Sequence, residues 1–239
     1  MNLLYLFLAS VAVFLATTIG FEKKSIWGTI IGALGVGGVV NANFFHAGDY
    51  PIDVFGWSFG VDSIIYTLFI FTVILKLFYY GKKEAYVYTI SAAGAVLFAA
   101  IIELTACAFS EGHSVDIWRR FGGFVISVGA TIAAGLIMIE VICAIQKKKQ
   151  IHRMWLVIIG IVIATIINST IYYALHPVVS GIKFDLHLMY TSYFGKIMAL
   201  GCACLAFFMI MLIEKNMKKI EEKKKKLEEN KEKEESNLK

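Results

Sequence analysis

Seven apolar stretches, near residues 3–20, 25–45, 57–80, 84–108, 119–145, 154–176 and 188–213, are joined by short loops in which lysine and arginine gather on alternate sides. Crossing a hydrocarbon core of ~30 Å takes about 20 residues at helical rise, and each run approaches or exceeds that length. Little chain is left over for a soluble domain. With 58% hydrophobic residues and a mean hydropathy of +0.70, most side chains must face lipid or one another. The expected fold is therefore all-α: a polytopic bundle of about seven transmembrane helices over residues 1–213, followed by a charged tail over 214–239. The opening MNLLYLF carries no Lys or Arg, and its apolar run exceeds an ordinary signal-peptide core, so the first span is predicted to be a retained helix.

Orientation follows from the loops. Lys23, Lys24, Lys82, Lys83, Lys147, Lys148, Lys149, Arg153, Lys215, Lys218 and Lys219 follow odd-numbered spans, against only Arg119, Arg120 and Lys183 in the intervening loops. The positive-inside rule then predicts an outside N-terminus, a cytoplasmic C-terminus and a multi-pass protein of the cell membrane. The net charge of +5 is accounted for by topology and by anionic inner-leaflet lipids rather than by nucleic acid. Trp27, Trp57, Trp118 and Trp155 all lie near span starts, as an interfacial aromatic belt would.

The tail holds ten Lys and eight acids, with Glu221 four residues from Lys225 and Glu222 four from Lys226. Such pairs support a solvated helix continuing from the last span. Ile213, Met217, Ile220 and Leu227 follow a seam spacing, but Lys224 occupies the intervening seam position, leaving little coiled coil. The tail reads as a frayed charged segment or as a docking helix.

Within the spans, glycines recur as Gly28, Gly32, Gly35, Gly37 and Gly38 in the second and Gly122, Gly123, Gly129 and Gly135 in the fifth. Small residues let helices approach closely, for plain packing or for the sliding of alternating access. Cys107, Cys143, Cys202 and Cys204 fall in or at the ends of spans and read as small apolar residues rather than a disulfide framework.

Ionisable groups inside spans cost a few kcal/mol and turn inward. Lys196, eight or nine residues into the last span, is the deepest cation and the first candidate for substrate contact. Asn168, with Thr165, Ser169 and Thr170, forms a polar patch in the sixth span, and Ser127 lies in the fifth. Such patches supply neutral hydrogen bonds, to a substrate or between helices. Glu103 and Glu140 are candidate counter-charges to Lys196 or to a cationic substrate; Asp62, Lys76, Arg119 and Arg120 read as interfacial. His46, His113, His176 and His187 fall on the predicted outer side, where solvated loop histidines are the ordinary case. No nucleophile elbow, zinc motif, CxxC pair or nucleotide-binding loop is present, so the chain is expected not to be an enzyme and to use no cofactor.

Tyr80-Gly81-Lys82-Lys83-Glu84-Ala85 at the end of the third span resembles a motif of the vitamin uptake transporter family, integral membrane proteins associated with uptake of queuosine precursors. Ala42-Asn43, Phe55-Gly56, Arg120, Trp155-Leu156 and Lys196 are similar to further family features, in the same order over most of residues 1–213. The sequence departs from the family at Ile74 and Phe78, where the pattern has acids, and keeps only Ser127, Thr165, Asn168, Ser169 and Thr170 of its later polar signatures. The resemblance implies a membrane transporter for a small organic nutrient or vitamin-like precursor, with a midplane site drawn from Lys196, Asn168, Thr165, Ser169, Ser127, Glu103 and Glu140. With no nucleotide-binding loop in the chain, energy is expected to come from a gradient, from metabolic trapping or from a separate ATPase, and a homo-oligomer is left open. The competing expectation is a non-transporting sensor or scaffold, a degenerate transporter body whose tail engages a cytoplasmic partner.

Overall fold

The computed structural model describes residue 11 and residues 51–54, 57–109, 114–148, 151–181 and 183–237. Within them the chain forms a two-stranded hairpin and five helices: β1 (Pro51–Val54), β2 (Trp57–Gly60), α1 (Val61–Tyr80), α2 (Lys82–Phe109), α3 (Ser114–Lys148), α4 (Arg153–Ser180) and α5 (Leu186–Asn237). Each helix carries a segment long and apolar enough to cross a membrane. The expected spans at 3–20 and 25–45 lie outside the described residues apart from Val11, which is helical and buried in the core.

The described apolar runs are helices close to where the sequence places them, with one difference. The run expected to span from residue 57 starts its helix at Val61, because Trp57–Gly60 pairs antiparallel with Pro51–Val54 in the register Pro51 to Gly60 and Val54 to Trp57. Alternation such as WSFG is short enough to suit a strand, and Pro51 sits at a strand start, where a missing N–H costs least. The last helix runs unbroken from its apolar segment through the charged tail to Asn237, the continuing helix that the charge pairs four residues apart support.

Local chemistry sets the helix ends. Gly81, at φ 95°, turns the chain sharply between α1 and α2 in a conformation that other residues adopt only with strain. α4 closes on Gly181 in the left-handed region at φ 69°, its N–H bonded to the Pro177 carbonyl. α5 opens on Asp185, whose Oδ1 accepts the backbone N–H groups of His187 and Leu188 at 2.8 and 3.4 Å.

Successive helices pack as neighbours, α1 on α2, α2 on α3, α3 on α4 and α4 on α5, and α1 also meets α5 and α4. α1 is the axis of the bundle. Its apolar window is 61% buried, against 39% for α3, and Phe69, Ile70, Phe71, Val73, Ile74 and Leu75 are all fully buried. A helix that is apolar on every side belongs inside. Phe71 meets Phe207 of α5 edge-on at 6.3 Å between ring centres, and Phe69 stacks on Tyr88 of α2 at 5.8 Å.

The glycines of α3 are mostly contact points. A Cβ at Gly135 would stand 2.6 Å from Thr89 Cγ2 of α2, and one at Gly122 would collide with Val179 of α4, whereas Gly129 has nothing near it. Cys143, Cys202 and Cys204 are all thiols.

Candidate functional site

Lys196 lies ten residues into α5 from Leu186, ~15 Å along the axis, so it is remote from both ends of its apolar segment. Only 5% of it is exposed. α5 turns it inward because Thr191, Ser192, Gly195, Ala199, Cys202 and Ala203 share the buried side, while Ile197, Met198, Gly201 and Leu205 take the exposed one. Burying an ammonium at this depth costs about 2.5–3.5 kcal/mol on insertion scales, and the surroundings must return much of it.

The described contacts that do so are with neutral groups. Lys196 Nζ donates to Asn168 Oδ1 at 3.0 Å and to Ser169 Oγ at 2.7 Å, both from α4. The same ammonium sits 4.5 Å from the centre of the Tyr66 ring of α1, whose π face attracts a cation. Tyr66 is itself buried, and its hydroxyl points at the Ala164 carbonyl of α4 at 3.5 Å. Asn168 Nδ2 reaches Thr131 Oγ1 of α3 at 3.5 Å, and Ser169 Oγ lies 3.4 Å from Ser192 Oγ of α5. Four helices thus converge on one lysine.

Three of the residues singled out from sequence, Lys196, Asn168 and Ser169, come together directly. Thr165 is buried one turn along α4 from Ser169, and Ser127 is half-buried one turn along α3 from Thr131. Thr170 faces elsewhere and bonds the Tyr193 hydroxyl at 2.7 Å. Glu103 falls on α2, but its side chain lies outside the described residues.

Glu140, expected as a counter-charge to Lys196, is engaged by a different lysine. Lys82 Nζ, at the first residue of α2, is 2.8 Å from Glu140 Oε1, and the Tyr86 hydroxyl bonds the same carboxylate. The physical reason is depth. Glu140 lies eight residues before the end of α3 at Lys148, near the end of the bundle where Lys82, Lys147 and Arg153 gather, and both members of the pair are well exposed. Cations there also rest on rings: Lys76 is 4.6 Å from the centre of Tyr80, and Arg153 is 5.9 Å from Phe78.

Tyr66, Thr131 and Ser192 were not foreseen. Ser192 precedes Lys196 by one turn of the same helix, a spacing visible in the sequence. Tyr66 and Thr131 carried no comparable signal, since either residue in an apolar helix reads as core or as back-bonded to its own turn.

No protein-family model, curated protein or solved structure matches the chain.

Proposed function

We propose that the protein is a membrane transporter for a small, partly polar organic nutrient, with its site between α3, α4 and α5 around Lys196. The observation that carries this reading is a lysine buried mid-way along an apolar segment and in contact with neutral oxygens and an aromatic face. An ionisable group that deep is expensive, and substrate or ion pathways are the usual reason for placing one there. The α3–α5 segments would belong to a seven-span body with an outside N-terminus and a cytoplasmic C-terminus, as the distribution of Lys and Arg in the loops favours. In this frame the end carrying Lys82, Lys147 and Arg153 faces the cytoplasm. Energy would come from a gradient, from metabolic trapping or from a separate ATPase docked on the bundle.

The experiment is uptake by cells expressing wild type or Lys196→Ala, using labelled vitamins and nucleobase-like precursors at matched surface expression. Wild type accumulates at least one compound, and the variant loses about a hundredfold of that rate, the cost of stripping a buried charged hydrogen bond from a binding site. Equal accumulation by both removes Lys196 from the mechanism.

A second reading, a sensor or scaffold acting through its tail, is favoured by the unbroken course of α5. From residue 210 to Asn237 it extends the last span by ~42 Å of helix. Deleting residues 218–239 separates the readings: uptake survives in a transporter, whereas a scaffold loses its cellular effect with the tail.

A further inference from the structure

The direction in which hydrogens run through the Lys196 cluster narrows the ligand. An ammonium has donors only, so the bonds to Asn168 Oδ1 and Ser169 Oγ are both donated by Lys196. That fixes the polarity of Asn168. With Oδ1 turned to Lys196, Asn168 presents its NH2 group to the cluster and reaches Thr131 Oγ1. Ser169 Oγ, with one lone pair taken by Lys196, also meets Ser192 Oγ in a contact where either hydroxyl can donate, so one of their two hydrogens is left outside it. These outer links, at 3.5 and 3.4 Å, are longer than the 3.2 Å and 3.0 Å upper limits of ordinary N–H···O and O–H···O bonds.

The shell around the ammonium is therefore rich in hydrogens that are weakly engaged: the Asn168 amide, and the hydroxyls of Ser169, Ser192 and Thr131. All four side chains are buried, Ser169 completely and Asn168 to within 7%. They come from three helices, so a single acceptor group entering the cluster would close bonds that the helices leave long. A cationic ligand would set donors against donors beside a like charge. A primary amide would match with its oxygen and clash with its nitrogen. A carboxylate has acceptors alone and gains charge-assisted bonds to Lys196.

The geometry points to an oxyanion site, and so to a small organic molecule bearing a carboxylate as the cargo, with Tyr66 as the residue that covers the ammonium until the carboxylate takes its place. The inference rests on the transport reading of this cluster and adds the substrate class. Tyr66 suits the covering role. Its ring holds the cation from a third helix, and its hydroxyl has only a 3.5 Å contact with Ala164 to give up.

The test uses the full chain in phosphatidylcholine nanodiscs and three pairs of probes that differ only in the carboxylate: benzoate and benzamide, nicotinate and nicotinamide, biotin and biotinamide. Equilibrium binding should favour the acid of at least one pair by about tenfold or more, the scale of one charge-assisted contact. Lys196→Gln should bring that pair to within about twofold, while Ser192→Ala weakens the acid and preserves its preference. Excess acetate should displace the bound acid from wild type, which keeps the test decisive if a variant fails to fold. Amide binding as tight as acid binding, no acid bound at all, or indifference to acetate overturns the inference. Its failure is distinguishable from failure of the transport reading. Cells that accumulate only neutral compounds in a Lys196-dependent way keep transport and lose the oxyanion site; acids that bind but never accumulate do the reverse.

Discussion

Two lysines of this chain solve opposite problems. Lys82 opens α2 at the basic end of the bundle, 45% exposed, and has a full carboxylate as partner in Glu140. Lys196 lies mid-way along the apolar segment of α5, 5% exposed, and its described oxygen partners are an amide and a hydroxyl. Among the described contacts, the carboxylate goes to the cation that needs it least. In water or at a headgroup boundary an ion pair gains little over hydration and is screened by salt. In a low-dielectric interior the same charge must be stabilised by whatever the helices can supply, and neutral oxygens with a ring face give back only part of the cost. Under the transport reading proposed above, Lys196 is a place where the fold gives up stability for function.

The largest effect should come from removing that cost. Lys196→Met keeps the length and volume of the side chain and deletes the charge, so folding no longer has to desolvate an ammonium. Replacing buried charges with apolar residues of similar size is often neutral or stabilising by about 1–4 kcal/mol. Thermal unfolding in detergent should show Lys196→Met at least as stable as wild type, while accumulation of substrate is lost. A large drop in stability would make Lys196 a structural post and sever it from uptake.

A smaller effect should follow from breaking the support while leaving the charge. Asn168→Ala removes one of the ammonium's oxygen partners and the link to Thr131, at a cost of about 1–3 kcal/mol. In the Lys196→Met background there is no ammonium left to satisfy, and the same substitution should cost much less. The difference between the two backgrounds is the coupling between α4 and α5 at this point. Equal costs in both would show that Asn168 serves helix packing alone.

The contrast between the two regions also explains what could be read from the sequence. Hydropathy placed four of the five described helices to within a few residues at most ends, because long apolar runs have few other ways to satisfy their backbone in lipid. The deep lysine was legible for the same reason, as the one charge far from any boundary, and Asn168 and Ser169 stood out as polar residues amid Ile and Ala. The pairing of Glu140 was not legible. Lys82 is 58 residues away in the chain, and only the packing of α2 on α3 brings them together. The hairpin before α1 escaped notice because Trp57–Gly60 merges with the apolar run of the following helix. Tyr66 was one of eleven tyrosines, and what sets it apart is that the axial helix aims it at Lys196. Ile74 and Phe78, where acids would have suggested a second polar site, are respectively fully and partly buried and pack in the core; Ile74 Cδ1 would stand 2.8 Å from a Cβ at Gly160. The axial helix is thus closed to ligand on that side, and the polar chemistry of the described bundle interior is concentrated around Lys196.

The smallest effect should be found at the exposed pair, and its smallness is what sharpens the contrast. Glu140→Gln keeps the shape of the side chain and an acceptor for Tyr86 while removing the charge that faces Lys82. Lys82 stays hydrated when its partner is neutralised and retains the Tyr86 ring 5.4 Å away, so no buried charge is stranded. Thermal stability at moderate salt should therefore match wild type within error, and uptake should be unchanged. Lowering the ionic strength lengthens the screening distance and should open a small gap between wild type and Glu140→Gln, with wild type the more stable. Lys196→Met should show no comparable salt dependence, because the charge it removes lies where mobile ions do not reach. A Glu140→Gln variant that unfolds readily, or loses uptake as fully as Lys196→Met, would mean that the pair at the basic end and the cluster at mid-bundle are parts of one device.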